Sequence, residues 1–342
     1  MSRQDPSISG LPASRALQTP ILVPLKQNVF LVRFPNTKKV VAARGVAKQA
    51  IDSGDLHDDS RVFVSSSGSF GLGWAIVSRE LNLQMTLVTQ PSIEPLLPLF
   101  RRMGVKVVMV EVPHPKGGFQ QARLDRLKKL ASEHPHPFIP HPYDDPKIVK
   151  AYEPVAESIF DSLDAVPDVL VDVTGSGGSL MGLSRAFRVE KPETQAVAVD
   201  TYGSCLFGRT AGERGVSGMG NSVMPEILDH SKVDEVHWMP SDQVDASARK
   251  LLRERGLFGG PTTGAATHVG LWKGRQCQDS TILCVGADSG WRYKDTVFSE
   301  AEGNVDSTPR KVDRPRAARS DRWCYMTWGC RSFQEVTEAE EE

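Results

Sequence analysis

A chain of 342 residues, 39% hydrophobic and 24% charged, has the composition of an ordinary globular protein with room for one large or two medium cores. Its formal net charge of −1 offers no electrostatic case for nucleic acid or an anionic membrane surface. No apolar run reaches membrane-spanning length, and the opening MSRQDPSISGLPAS lacks the apolar core of a signal peptide, so a soluble cytoplasmic protein is expected.

In chain order, residues 1–18 are polar and are expected to form a mobile arm. TPILVPL (19–25) and NVFLVRF (28–34) read as two short strands. After PNTKK (35–39), the stretch VVAARGVAKQAIDSG has helical periodicity through Val40, Ala43, Val46, Ala47 and Ile51, stopping near Gly54. From Arg61 the pattern alternates: strand RVFVS, loop SSGSFG, helix GLGWAIVSREL, strand QMTLVT, helix SIEPLLPLFRRMG, strand VKVVMVE. A Pro- and Gly-rich loop (113–118) leads to the helix QARLDRLKKLASE. EHPHPFIPHP follows, whose His134 and His136 alternate with prolines as in a stiff surface loop rather than a metal site.

A second alternating block begins with the helix IVKAYEPVAESIFDSL and the strand DVLVDV. A glycine turn, a helix and the strand QAVAVDTYG come next. After a long loop (208–229) stand the strand VDEVHWM, the helix SDQVDASARKLLRERG, the turn FGGPTTGAATHVGLW and the strand TILCVGADSGWRY. Two such blocks predict an α/β protein of two open, mostly parallel sheets covered by helices. The tail 301–342 is rich in charge and poor in apolar residues, and is expected to be disordered apart from WCYMTW, which docks on the body or on a partner. The five cysteines (Cys205, Cys277, Cys284, Cys324, Cys330) are odd in number and scattered, which argues against a disulfide framework or a CxxC zinc site. Cys284, in an apolar run, reads as core.

Within the second block, DVLVDVTGSGGSLMGLSRAF (168–187) joins a buried strand to a helix through a glycine turn. Such a turn aims backbone N–H groups and a helix N-terminus at one point, which favours a phosphate. Gly175, Gly177 and Gly178 allow close approach of the backbone, and Ser176 and Ser179 can add hydroxyl donors. The turn lacks the Lys-Ser/Thr pair of a nucleotide P-loop. It also lacks the downstream acid of a dinucleotide site, unless Asp200 fills that place. Three further loops sit where strands end: residues 66–71, 260–265 and 287–290. Ligands in such sheets lie beyond those ends.

Taken in order, these motifs resemble the fold-type II pyridoxal-phosphate enzymes of the cysteine synthase and cystathionine β-synthase group, from about Thr19 to Thr296. The chain has a TP near its start, a lysine before a helix, an SGNTG-like loop, a GTGGT-like loop, a G-x-SSGA-like turn and, in ADSGWRY, a P-x-SGERY-like segment. The resemblance implies a tryptophan synthase β-like fold with a large cofactor-phosphate domain (19–40 and 150–300) and a small substrate-carboxylate domain (41–149). It implies pyridoxal 5′-phosphate bound as a Schiff base to Lys39, which lies 28 residues before Ser67 and opens the K-x-K-A-A-R-G-like KVVAARG. Lys38 is the rival.

By the same resemblance Gly175, Ser176, Gly177, Gly178 and Ser179 hold the cofactor phosphate, and Ser289 faces the pyridine nitrogen. Ser66, Ser67, Gly68, Ser69 and Gly71 take the substrate α-carboxylate. Ser69 replaces the family's asparagine, which contacts the cofactor oxygen, and His141 or Tyr143 stands in for its usual glutamine. The stretch SCLFGRTAGERGVSGMGNSVMPEILD and SGWRYKDTVF resemble the 2,3-diaminopropionate-forming branch, the N-(2-amino-2-carboxyethyl)-L-glutamate synthases of siderophore and antibiotic pathways. That implies β-replacement on O-phospho-L-serine by glutamate through an aminoacrylate, with Arg209, Arg214 and Ser217 near a leaving phosphate or second carboxylate. A cysteine synthase using O-acetyl-L-serine and sulfide, and a non-catalytic paralogue that binds a partner, are the alternatives. The family's habit implies a homodimer acting on small amino acids.

Overall fold

The computed structural model describes residue 17 and residues 19–115 and 117–338, so the expected arm lies outside the described residues except at position 17. Two compact units divide the chain, one built on Thr37–Ala151 and the other on Pro20–Asn36 with the chain from Tyr152 onward. The latter, larger unit begins with a hairpin in which β1 (Ile21–Lys26) pairs antiparallel with β2 (Val29–Arg33).

The smaller unit follows. It runs through α1 (Lys39–Asp52), β3 (Arg61–Ser65), α2 (Ser69–Glu80), β4 (Gln84–Thr89), α3 (Leu97–Arg102), β5 (Lys106–Met109), α4 (Gly118–Ser132), β6 (Pro137–Phe138) and α5 (Lys147–Lys150). Its four strands form a parallel sheet in the order β5-β4-β3-β6. Val62, Phe63, Val64, Met85, Leu87 and Val88 are all buried, as expected of strands covered on both faces. The helix expected over SIEPLLPLFRRMG is α-helical only in its second half, because Pro91 and Pro95 hold the first half in a 3₁₀ turn.

The larger unit resumes with α6 (Glu153–Leu163), β7 (Val169–Val173), α7 (Gly178–Glu190), β8 (Gln195–Thr201), β9 (Glu235–Met239), α8 (Ser241–Arg255), α9 (Pro261–Gln276) and β10 (Ile282–Gly286). The single helix expected over IVKAYEPVAESIFDSL is two, α5 and α6, with Pro154 in the first turn of α6 where a missing N–H costs nothing. The sheet has eight strands in the order β1-β2-β10-β7-β8-β9-β12-β11, where β11 (Arg310–Lys311) and β12 (Cys324–Thr327) come from the tail. Strands β2, β10, β7, β8 and β9 are parallel, so their C-terminal loops share one edge.

Two expectations are corrected. FGGPTTGAATHVGLW is a turn only over its first three residues; from Pro261 onward it is the body of α9, buried along most of its length. Its glycines serve packing: a Cβ at Gly264 would lie 2.4 Å from the Ala248 nitrogen of α8, and one at Gly270 would lie 2.0 Å from Cys284 Sγ. The tail is also ordered through Glu338, ending in α10 (Phe333–Glu338). β12 pairs antiparallel with β9, and Trp323 and Trp328 are both fully buried. Composition misleads there because the charged stretch is tied down by its backbone: Arg209 donates to the Pro315 and Ala318 carbonyls at 2.7 Å each, and Asp306 accepts from Trp323 N at 2.9 Å.

Candidate active site

In the larger unit the five residues of β7 are buried, and the chain leaves the strand at Thr174, whose N–H donates to Val199 O at 2.8 Å. Gly177 then takes φ +84°, a left-handed conformation that turns the chain into α7. A Cβ at Gly177 would lie 2.9 Å from Leu228 Cδ1, and one at Gly175 would lie 3.0 Å from Gly218 O. Among the described residues no acceptor takes the N–H groups of Gly175, Ser176, Gly177, Gly178 or Ser179. Five orphan donors at the start of a 13-residue helix fit the phosphate of a phosphate-bearing cofactor. The Ser176 hydroxyl has no partner among the described residues. The Ser179 hydroxyl, in contrast, donates inward to the Asp172 carboxylate.

The neighbouring loop after β10 is fastened to the start of α9. Gly260 N and Thr263 Oγ1 donate to Asp288 O at 3.1 and 3.0 Å, and Tyr293 donates its phenol proton to Asp288 Oδ2 at 2.9 Å. Ser289 caps a short 3₁₀ helix, its Oγ accepting from Trp291 N at 3.5 Å. The hydroxyl of Thr262, a residue 3% exposed in the first turn of α9, makes no hydrogen bond among the described residues. The sequence reading singled out its loop, 260–265, but gave Thr262 itself no role. Arg214 closes its own loop, donating to Gly203 O at 3.3 Å and Ser222 Oγ at 2.6 Å.

In the smaller unit Lys39 is the first residue of α1, with its N–H donated to Thr37 Oγ1 at 3.2 Å. Lys38 is buried and Lys39 half-buried. Helix α2 presses on this point: a Cβ at Gly73 would lie 2.5 Å from the Lys39 carbonyl oxygen, so only glycine lets the two helices meet there. Gly73 is thus a supporting residue that the sequence reading missed.

In the loop 66–71, Ser66 Oγ accepts from Gly68 N at 3.1 Å and Gly71 N at 3.0 Å, which shapes the turn into α2. Gly68 precedes α2 and Ser69 opens it, while Ser67 is half-buried. Beside this loop lies a second missed residue, Arg123. Only 6% exposed on α4, it donates Nε to Ser65 Oγ at 3.4 Å and Nη1 to Gln90 Oε1, at the C-terminal ends of β3 and β4. Among the described residues no carboxylate pairs with it. Burial holds its guanidinium below the ordinary range, and the nearby Tyr143 opposes that shift. His141 is exposed, whereas Tyr143 is half-buried.

A parallel β-α unit whose glycine turn has N–H groups with no acceptor among the described residues defines a protein that can hold a phosphate-bearing cofactor. Comparison with known proteins agrees. The family model described as pyridoxal-phosphate dependent enzyme matches residues 37–288. The N-(2-amino-2-carboxyethyl)-L-glutamate synthase of Ralstonia nicotianae is 28% identical over 261 residues, covering 75% of this chain and 77% of that protein. The cysteine synthase structure from Entamoeba histolytica matches with a TM-score of 0.78 at 20% identity, over 89% of this chain and 94% of that one. That of the O-acetylserine-dependent cystathionine β-synthase from Helicobacter pylori has a TM-score of 0.75 at 19% identity, over 86% and 99%. The chain belongs to the pyridoxal-phosphate-dependent enzymes. Its fold is of the tryptophan synthase β type. Among the described residues no helix is long and apolar enough to cross a membrane.

Proposed function

We propose that this protein carries out β-replacement on an O-activated L-serine, with O-phospho-L-serine as donor and an amino acid such as L-glutamate as the incoming amine. The observation that carries the choice of partner is Arg123. A buried guanidinium is costly unless an anion meets it, and the neutral oxygens of Ser65 and Gln90 compensate only in part. A carboxylate or phosphate of a substrate completes that site. Sulfide would not.

Bound pyridoxal phosphate supplies an electron sink for a carbanion at the substrate Cα. Lys39 supplies the amine that attaches the cofactor and, once displaced, accepts the Cα proton. The turn 175–179 holds the phosphate through main-chain N–H groups. The loop 66–71, at the N-terminus of α2, takes the α-carboxylate, with Ser67 as a hydroxyl donor. Ser69 replaces an asparagine of the family and contacts the cofactor with a shorter side chain. Of the two candidates for the missing glutamine, the exposed His141 fits less well than Tyr143, which lies near Arg123. Arg214 acts by bracing its loop. The assembly we propose is a cytoplasmic homodimer, in keeping with the family's habit.

The test is the product formed from O-phospho-L-serine or O-acetyl-L-serine with glutamate or sulfide, read by mass spectrometry. Formation of the carbon–nitrogen product only from the phosphate ester and glutamate supports the proposal. Cysteine as the sole product would replace it by the cysteine synthase reading, and no product from any pair would favour the partner-binding paralogue. Arg123→Met is expected to raise KM for glutamate about 30- to 100-fold, the loss of one charge-assisted hydrogen-bonded pair. Any turnover with sulfide should change far less.

For the ring nitrogen, Ser289 keeps its proton, since its Oγ only accepts from Trp291 N, but it is only half-buried, while Thr262, 3% exposed, offers a hydroxyl on the same sheet edge. Thr262→Ala is expected to shift the visible spectrum of the loaded enzyme and to lower kcat about tenfold, the worth of one hydrogen bond to a reacting system. Ser289→Ala should leave the spectrum in place. The reverse result would return the role to Ser289.

A further inference from the structure

The phosphate turn rests on a buried hydroxyl relay. Asp172 lies on β7 with 0% exposure, and its carboxylate accepts the proton of the Ser179 hydroxyl. The same hydroxyl is hydrogen-bonded to the phenol of Tyr152, 1% exposed at the start of α6. A serine hydroxyl has one proton to give. Burial, and then the neighbouring Asp172 carboxylate, push the phenol far above its ordinary range, so Tyr152 stays neutral beside the pair.

Two consequences follow for a bound phosphate. The Ser179 side chain contributes nothing to it, since its donor is spent inward. A carboxylate also lies under the turn, close enough to share a hydrogen bond with the residue whose N–H faces the anion. Like charges across a dry, low-dielectric gap repel much more strongly than in water.

We propose that Asp172, held in place through Ser179 and Tyr152, weakens the grip of this turn on the cofactor phosphate, so that pyridoxal phosphate is held exchangeably and by main-chain donors. The inference rests on the reading of residues 175–179 as the phosphate site.

The full-length protein, freed of cofactor, is titrated with pyridoxal 5′-phosphate and separately with pyridoxal, following protein fluorescence. Asp172→Asn keeps an acceptor for the Ser179 hydroxyl and removes the charge. Its Kd for pyridoxal 5′-phosphate is expected to fall about tenfold, corresponding to ~1.4 kcal/mol, with Kd for pyridoxal unchanged. Asp172→Ser, smaller and also neutral, carries the same expectation should the asparagine variant fail to fold. Unchanged or weaker binding of the phosphate form overturns the proposal. So does an equal gain for both forms, which would mark a packing effect. A wild-type protein that binds both forms equally well would overturn the phosphate-site reading itself, and the inference with it.

Discussion

Alanine at Lys39 is expected to cut turnover by at least about 10³-fold while leaving the protein folded. Two losses combine in the roles proposed for it: the amine that attaches the cofactor, and the base that takes the Cα proton, a role worth about 10²–10⁴-fold by itself. The fold should tolerate the change because the lysine is half-buried at a helix start, and what sets its place is main chain: the Thr37 hydroxyl accepts its N–H, and the bare Gly73 admits its carbonyl. Lys38→Ala is the control. That side chain is 4% exposed, so its loss should lower stability more than it lowers kcat. Borohydride reduction followed by peptide mapping decides between the two lysines. Covalent cofactor on Lys38, with a Lys39→Ala variant still active, would reverse the assignment.

Removal of residues 301–342 is expected to leave a chain that does not fold. The tail buries Trp323, Cys324, Met326, Trp328 and Val336, and β12 closes one side of β9. Each large apolar side chain taken from water contributes about 1.5–3 kcal/mol, and the sum approaches the 5–15 kcal/mol typical of a whole protein. Trp323→Ala alone should cost about 3–5 kcal/mol in denaturant titration. A truncated chain with a native unfolding transition would show that the tail is an accessory.

The same dock carries a pH dependence. Trp323 Nε1 donates to His237 Nδ1 at 3.0 Å, and His237 Nε2 meets Glu235 Oε1 at 2.7 Å. His268 Nε2 meets Asp306 O at 2.8 Å, and the His230 ring packs on Trp328 and Phe333. Burial depresses all three imidazoles, His268 to about 4. Each is therefore neutral in the fold, while the unfolded chain takes up protons below about 6.5, so their contribution is present above that pH and lost as pH falls through it. Asp200 and Asp245, pushed up by burial to about 7 and about 6, act in the opposite sense, since acid relieves the cost of their charges. A local readout is needed: limited proteolysis of the tail should accelerate between pH 7 and pH 5. An unchanged rate would mean that these histidines do not govern docking.

How much of this could be read from the chain alone varies residue by residue. Gly73 and Arg123 escaped notice, and Thr262 received no role within its singled-out loop, for a common reason. A threonine in a glycine-rich stretch, a glycine inside a helix and an arginine in QARLDRLKKLASE each look ordinary until their neighbours are known. The α9 segment was misjudged because a glycine that permits a turn and a glycine that permits a 2.4 Å approach to another helix are written with the same letter.

What the sequence by itself determined is the α/β alternation, the loops where those strands end and the order of motifs that places the chain in its family. These are local properties: side-chain periodicity decides strand or helix, and glycine permits left-handed turns such as that at Gly177. What only the tertiary structure decided is the buried charge of Arg123, the inward proton of Ser179 and the ordered tail. Each depends on partners far apart in the chain, Gln90 with Arg123, Asp172 and Tyr152 with Ser179, His237 with Trp323, and desolvation acts only once those partners have been brought together.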